Sequence, residues 1–139
     1  MRYVGLDYGQ RRIGISVSDS AGRIAVPSAS FARSNDLAQD LRRLASMIRE
    51  FEPDLVVVGY PVSLSGQPGS SVQAMKTFVG QLTKLLEIDV VFHDERFTTA
   101  EASRLLRQAN MSAKAQRSVI DASAAAVMLQ SYLDKRVDE

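Results

Sequence analysis

Three apolar stretches, residues 2–7, 11–18 and 23–31, follow one another with only a few residues between them. Each is long enough for a strand, and Ile13, Ile15 and Val17 alternate along the second. Parallel neighbours need a crossover of about a dozen residues or more, so strands this close pair as an antiparallel meander. Asp19-Ser20-Ala21-Gly22 supplies the turn between the second and third. The first stretch contains an anomaly. Val4-Gly5-Leu6-Asp7-Tyr8-Gly9 sets a carboxylate in an apolar run, directly ahead of a glycine turn. An ionised Asp is costly inside a packed sheet without a partner, so Asp7 is expected to coordinate something.

The remainder of the chain alternates between helix and strand periods. Leu37, Leu41, Leu44, Ile48 and Phe51 keep helical spacing, with Ser34 or Asn35 placed to cap and Pro53 to close. Leu55-Val56-Val57-Val58-Gly59 reads as a strand buried on both faces. Residues 60–71, rich in Pro, Gly and Ser, read as a loop. A second helix is expected over roughly 71–86, with Val72, Met75, Val79, Leu82 and Leu86 on one face, followed by a strand at Ile88–Phe92. Thr98-x-x-Glu101 has the form of a capping box opening a third helix. After a polar loop near 110–117, a last helix carries Ile120, Ala124, Val127 and Tyr132. The expected fold is α/β, one domain over residues 1–139 built on a mixed five-stranded sheet.

Composition narrows the chemistry. Without cysteine there are no disulfides, thiolate metal sites or cysteine nucleophiles, and a single histidine, His93, excludes a His-rich metal site. Any metal must be held by oxygen, which points to Mg²⁺ or Mn²⁺. No apolar run is long enough to cross a membrane and no signal segment opens the chain, so a cytoplasmic, membrane-free protein is expected. The net charge of +1 excludes a strongly basic nucleic-acid coat but not a local basic surface. Thirteen of the 17 basic residues are arginine, which suits bidentate phosphate contacts and equally follows from codon bias.

Two further acidic sites, Asp94-Glu95 and Asp121, lie far downstream of Asp7, each beside an expected element. Three separated acids that converge would make an oxygen-donor metal cluster. Each also has an ordinary reading. Asp7 could close a hairpin, Glu95 could pair with Arg96 or Arg104 at the surface, and Asp121 could stabilise the dipole of a helix in its first turn.

Taken in order, Gly5-Leu6-Asp7-Tyr8-Gly9 with Arg12-Ile13-Gly14, Val58-Gly59-Tyr60-Pro61, Asp94-Glu95-Arg96-Phe97-Thr98-Thr99, and Asp121-x-x-Ala124-Ala125 with Leu129-Gln130-x-Tyr132-Leu133 resemble the YqgF (RuvX) family of the ribonuclease H-like superfamily. That family is described as a candidate Holliday junction resolvase and as the pre-16S ribosomal RNA nuclease of bacteria. The resemblance covers essentially the whole chain. It implies Asp7, Glu95 and Asp121 as metal-binding catalytic carboxylates. Asp94 is an alternative or additional ligand, since neighbours on a strand face opposite ways unless Asp94 already begins a loop. In one place the chain departs from the family, reading Tyr60-Pro61-Val62-Ser63 where Leu-Pro-Leu-Asn is common.

The resemblance implies metal-dependent phosphodiester hydrolysis, with two ions about 3.5–4 Å apart serving an in-line displacement. The products would carry a 5′-phosphate and a 3′-hydroxyl. Arg96, Arg104, Arg107, Lys114 and Arg117 are the candidates for binding substrate phosphates, and Arg96 could instead hold Glu95. The expected substrate is pre-16S rRNA, free or within ribosomal particles, trimmed at its 5′ end. Branched DNA is the alternative, cut by a homodimer rather than a monomer. A nucleotide-binding lobe and a non-catalytic nucleic-acid factor are weaker readings.

Overall fold

The structure is a computed structural model, and it describes residues 1–60, 70–94 and 113–137. Strand β1 runs Tyr3–Tyr8, β2 Arg12–Ser18, β3 Ala25–Ala32, β4 Leu55–Tyr60 and β5 Val90–Asp94. They form one sheet in the order β3-β2-β1-β4-β5. β1, β2 and β3 pair antiparallel, as the short connections require, while β4 and β5 add in parallel to β1. The expected mixed sheet of three meander strands plus two parallel strands is therefore present.

Helix α1 (Leu37–Glu50) and helix α2 (Ser70–Leu86) cover one face. Their Leu44, Ile48, Met75, Phe78 and Leu82 pack against Val4, Leu6, Ile13, Ile15, Val56 and Val58. Helix α3 (Ala113–Val137) covers the other, where Met128, Leu129 and Leu133 meet Tyr3, Leu55 and Val57. Apolar residues on both sides of β1 and β4 thus bury the sheet between helical layers.

Some boundaries differ from expectation for identifiable reasons. The cap of α1 is Asp36, whose carboxylate accepts from the Gln39 amide, rather than Ser34 or Asn35. Phe51 ends the helix rather than extending it. β5 starts at Val90 because Glu87, at φ 57, turns the chain out of α2 and leaves Ile88 in the connection. The largest correction concerns the polar stretch near 110–117, of which residues from 113 onward are helical. Ala113, Lys114, Ala115, Gln116 and Arg117 are all good helix formers, and polarity had suggested a loop where propensity favours a turn of helix. The loop expected over 60–71 and the helix expected from Thr98 lie largely or wholly outside the described residues.

α3 is held to the sheet by polar contacts as well as packing. Gln130 accepts from the Ala25 amide at 2.9 Å and donates to the Arg23 carbonyl at 2.9 Å, tying the helix to the β2–β3 turn. That turn is ordered in its own right. The Asp19 carboxylate accepts from the Arg23 and Ile24 amides, and these bonds hold its pKa below the usual value.

A buried acid secures the connection from β3 into α1. Asp40, 1% exposed, accepts from the Ser34 amide through both oxygens and from Ser34 Oγ at 2.7 Å. Replacing it with alanine strands those donors. Asp40→Ala is expected to lower stability by about 2–3 kcal/mol, read from urea unfolding curves. A change within about 0.5 kcal/mol would show that water replaces the carboxylate without loss.

Candidate nuclease site

The pleat of β1 places Tyr3, Gly5 and Asp7 in one row facing α3. At Tyr3 the row is apolar, and at Gly5 it is so tightly packed that an added Cβ would lie 2.9 Å from Leu129 Cβ. Asp7 continues the row past this packing and is half-buried. Its register partners are glycines on both sides, Gly14 on β2 and Gly59 on β4, so neither crowds the carboxylate with a side chain.

Gly14 performs a second task. A Cβ there would fall 1.9 Å from the carbonyl oxygen of Asp121, so bare glycine lets α3 lie directly on the strand. This brings Asp121 to the row that holds Asp7, and the two acids line one open cavity of about 410 Å³. Gly9, Gln10, Arg11 and Arg12 complete its wall. Asp121 is the ninth residue of α3, more than two turns in, which removes the helix-dipole reading of this acid.

Two side chains fix the Asp121 carboxylate. Arg12 Nε donates to Oδ2 at 2.7 Å, and Ser30 Oγ donates to the same oxygen at 2.8 Å. Ser30 reaches it because it is the register partner of Gly14, so Gly59, Asp7, Gly14 and Ser30 form one row across four strands. The 9–11 turn is pinned from behind by Arg33. Its amide donates to the Arg11 carbonyl at 2.9 Å, and its guanidinium donates to the Gly9 carbonyl at 3.0 Å and to Tyr8 Oη at 2.9 Å. That guanidinium lies over the rings of Tyr8 and Phe78, at 5.0 and 4.9 Å, so it is stacked in place.

The structure therefore unites Asp7 and Asp121 and leaves the third acid open. Asp94 ends β5 with its backbone in register with Tyr60, while Glu95, Arg96, Arg104 and Arg107 lie outside the described residues. Lys114 and Arg117 belong to the first turns of α3, and their side chains are likewise outside. Among the described residues no three His, Cys, Asp or Glu gather as a metal cluster. The two acids that do meet offer hard oxygen donors beside cationic guanidinia, a donor set that suits Mg²⁺ or Mn²⁺ and not a soft metal. His93 is buried against α3. Its Nε2 lies 3.2 Å from Ser131 Oγ and its ring meets Tyr132 edge-on at 5.8 Å. Arg11, Arg12, Ser30 and Arg33 are site residues to which sequence reasoning assigned no role.

Comparison with known proteins gives the family. The family model RuvX, described as a Holliday junction resolvase, matches residues 1–135. The chain belongs to the RuvX family. A RuvX relative from Halalkalibacterium halodurans, named as a candidate pre-16S rRNA nuclease, is 39% identical over 137 residues, covering 98% of each chain. Proteins of the same name from an Anaeromyxobacter species and from Rhodococcus opacus are each 40% identical. The match covers 98% of both chains in the first case, and 97% of this chain and 78% of the relative in the second. Among solved structures, T. thermophilus RuvC in complex with a Holliday junction substrate superposes with a TM-score of 0.62 at 15% identity, over 99% of this chain and 96% of that one. This RuvX-family chain thus has the ribonuclease H-like fold. Among the described residues no helix is long and apolar enough to cross a membrane.

Proposed function

We propose that this chain is a metal-dependent endonuclease that trims the 5′ end of precursor 16S rRNA in the cytoplasm. The observation that carries the reading is the meeting of Asp7 and Asp121 in one open cavity walled by Arg11 and Arg12. Relatives that match it over nearly their whole length carry the pre-16S rRNA nuclease name.

Asp7 and Asp121, with Glu95 or Asp94 as the third acid, are the residues that would hold Mg²⁺ or Mn²⁺. Held there, a divalent ion would supply activation of a water and charge stabilisation at the leaving oxygen of the phosphodiester. The chain's own part is positional. Gly14 admits the Asp121 backbone, Ser30 and Arg12 set its carboxylate, and Arg33 holds the turn that presents Arg11. Arg96, Arg104, Arg107, Lys114 and Arg117 are proposed to extend the phosphate-binding surface beyond this cavity.

The second reading is cleavage of branched DNA, favoured by the family's description and by the likeness to a junction-bound RuvC. Purified protein with Mg²⁺ or Mn²⁺ separates the two. Cutting of 5′-extended 16S precursor, free or in particles, is expected, with 5′-phosphate and 3′-hydroxyl ends, and chelation with EDTA should stop it. Cutting of a four-way DNA junction alone would replace the RNA reading with the resolvase. Inertness toward both would end the nuclease proposal.

A further inference from the structure

We propose that Arg12 is an internal counter-ion that makes metal capture at Asp121 depend on bound nucleic acid. The inference rests on the nuclease reading above and adds a coupling to it. Its basis is the arrangement of two donors on one carboxylate oxygen. Arg12 Nε stands 2.7 Å from Asp121 Oδ2, and Ser30 Oγ stands 2.8 Å from the same atom. The Arg12–Asp121 pair is the only salt bridge among the described residues.

The pair is placed where it can be exchanged. The Arg12 side chain is 36% exposed and that of Asp121 19%, and both line the cavity that contains Asp7. A guanidinium presents several donors in a planar fork, which matches a phosphodiester at least as well as a single carboxylate oxygen. A nucleic-acid phosphate entering the cavity therefore competes with Asp121 for Arg12. Ser30 is neutral and stays on Oδ2, so the carboxylate keeps its orientation after the guanidinium leaves. Asp121 then has its full negative charge to offer a cation. Without nucleic acid, the positive charge of Arg12 sits beside the ligand and opposes a second cation there.

Because the exchange links two binding events, it must act in both directions: nucleic acid raises metal affinity by the factor by which metal raises nucleic-acid affinity. The chain would then load metal fully only with substrate in place, which limits idle metal-bound enzyme.

Mn²⁺ binding, read by electron paramagnetic resonance of the free ion, tests this without relying on turnover. The full chain is titrated alone and with a short RNA oligonucleotide, checked by gel to be intact afterwards. Circular dichroism confirms folding. In the parent, RNA should tighten Mn²⁺ binding. Arg12→Ala should bind Mn²⁺ without RNA about tenfold more tightly than the parent, and RNA should add correspondingly less. Arg12→Gln, which keeps a donor for Asp121 but no charge, should behave in the same way and serves if the alanine variant does not fold. Arg12→Lys, which keeps the charge, should stay near the parent. Equal or weaker Mn²⁺ binding by the folded, uncharged variants would overturn the inference while leaving the nuclease reading standing. Absence of Mn²⁺ binding by the parent, with or without RNA, would overturn both.

Discussion

Asp7→Asn is expected to yield a folded chain whose single-turnover cleavage of the precursor RNA falls by at least about 10³-fold, equivalent to about 4 kcal/mol of lost transition-state stabilisation. The substitution keeps size, shape and one carbonyl oxygen, and removes the charge that binds a hard cation. Asp7 and Asp121 share one open cavity, and the isosteric amide leaves no hole in it. Packing along the row, at Tyr3 and Gly5, is untouched. The melting temperature should therefore stay within a few degrees of that of the parent. Parental cleavage by a folded Asp7→Asn chain would remove this acid from the chemistry.

Gly14→Ala should damage stability and activity together. Its new Cβ would lie 1.9 Å from the Asp121 carbonyl oxygen and 2.6 Å from the carbonyl carbon, and these are backbone atoms with no rotamer to escape into. Either the helix lifts from the sheet or the strand bends away. Overpacking of this kind costs about 3 kcal/mol, at the upper end of its usual range, because both sides are main chain. For a domain of this size that corresponds to a melting temperature roughly 10 °C lower. A displacement of about 1 Å at Asp121 should also slow cleavage by roughly 10²-fold, since the two acids would no longer meet in register. A chain with parental melting and parental rate would show that α3 does not depend on this close approach. Loss of activity with melting unchanged would mean that the helix shifts at little cost to packing.

Most of the architecture was legible because it follows from spacing alone. Three strands with no room for crossovers must meander, and the uninterrupted Leu55–Val58 run must lie inside the sheet. Asp7 was legible as a candidate because an acid amid Val4, Gly5 and Leu6 has no packing reason to be there, and the structure sets it on a cavity wall. Asp121 stood out as one of three separated acids and through the family pattern, but its position in the helix was misjudged because Lys114, Gln116 and Arg117 were weighed as polar rather than as helix formers. Ser30 was not legible at all, for a geometric reason. Counting back from the Ser18–Ala25 pair would set Gly14 opposite Ala29, but a bulge between Ile15 and Ser16 shifts the register by one. That single step brings Ser30, rather than its neighbour, onto the face of Asp7 and into reach of Asp121. Arg12 was visible within a motif, but its partner lies 109 residues away, and a pairing at that distance leaves no local trace.

The two anchor points of α3 set a ruler along the chain. Asp121 is held by Arg12 and Ser30 at one place, and Gln130 by Ala25 and Arg23 nine residues further on, about 13.5 Å along the axis. Each residue also advances the helix by about 100° of rotation. Side chains between the anchors can change within the limits of packing, but their number cannot. One residue gained or lost between 121 and 130 would swing either the acid or the glutamine a quarter-turn out of its seat. The distance between this acid and the tie at the far end of the β2–β3 hairpin is thus written into the chain as a count, and in that interval sequence length is as much a part of the site as sequence identity.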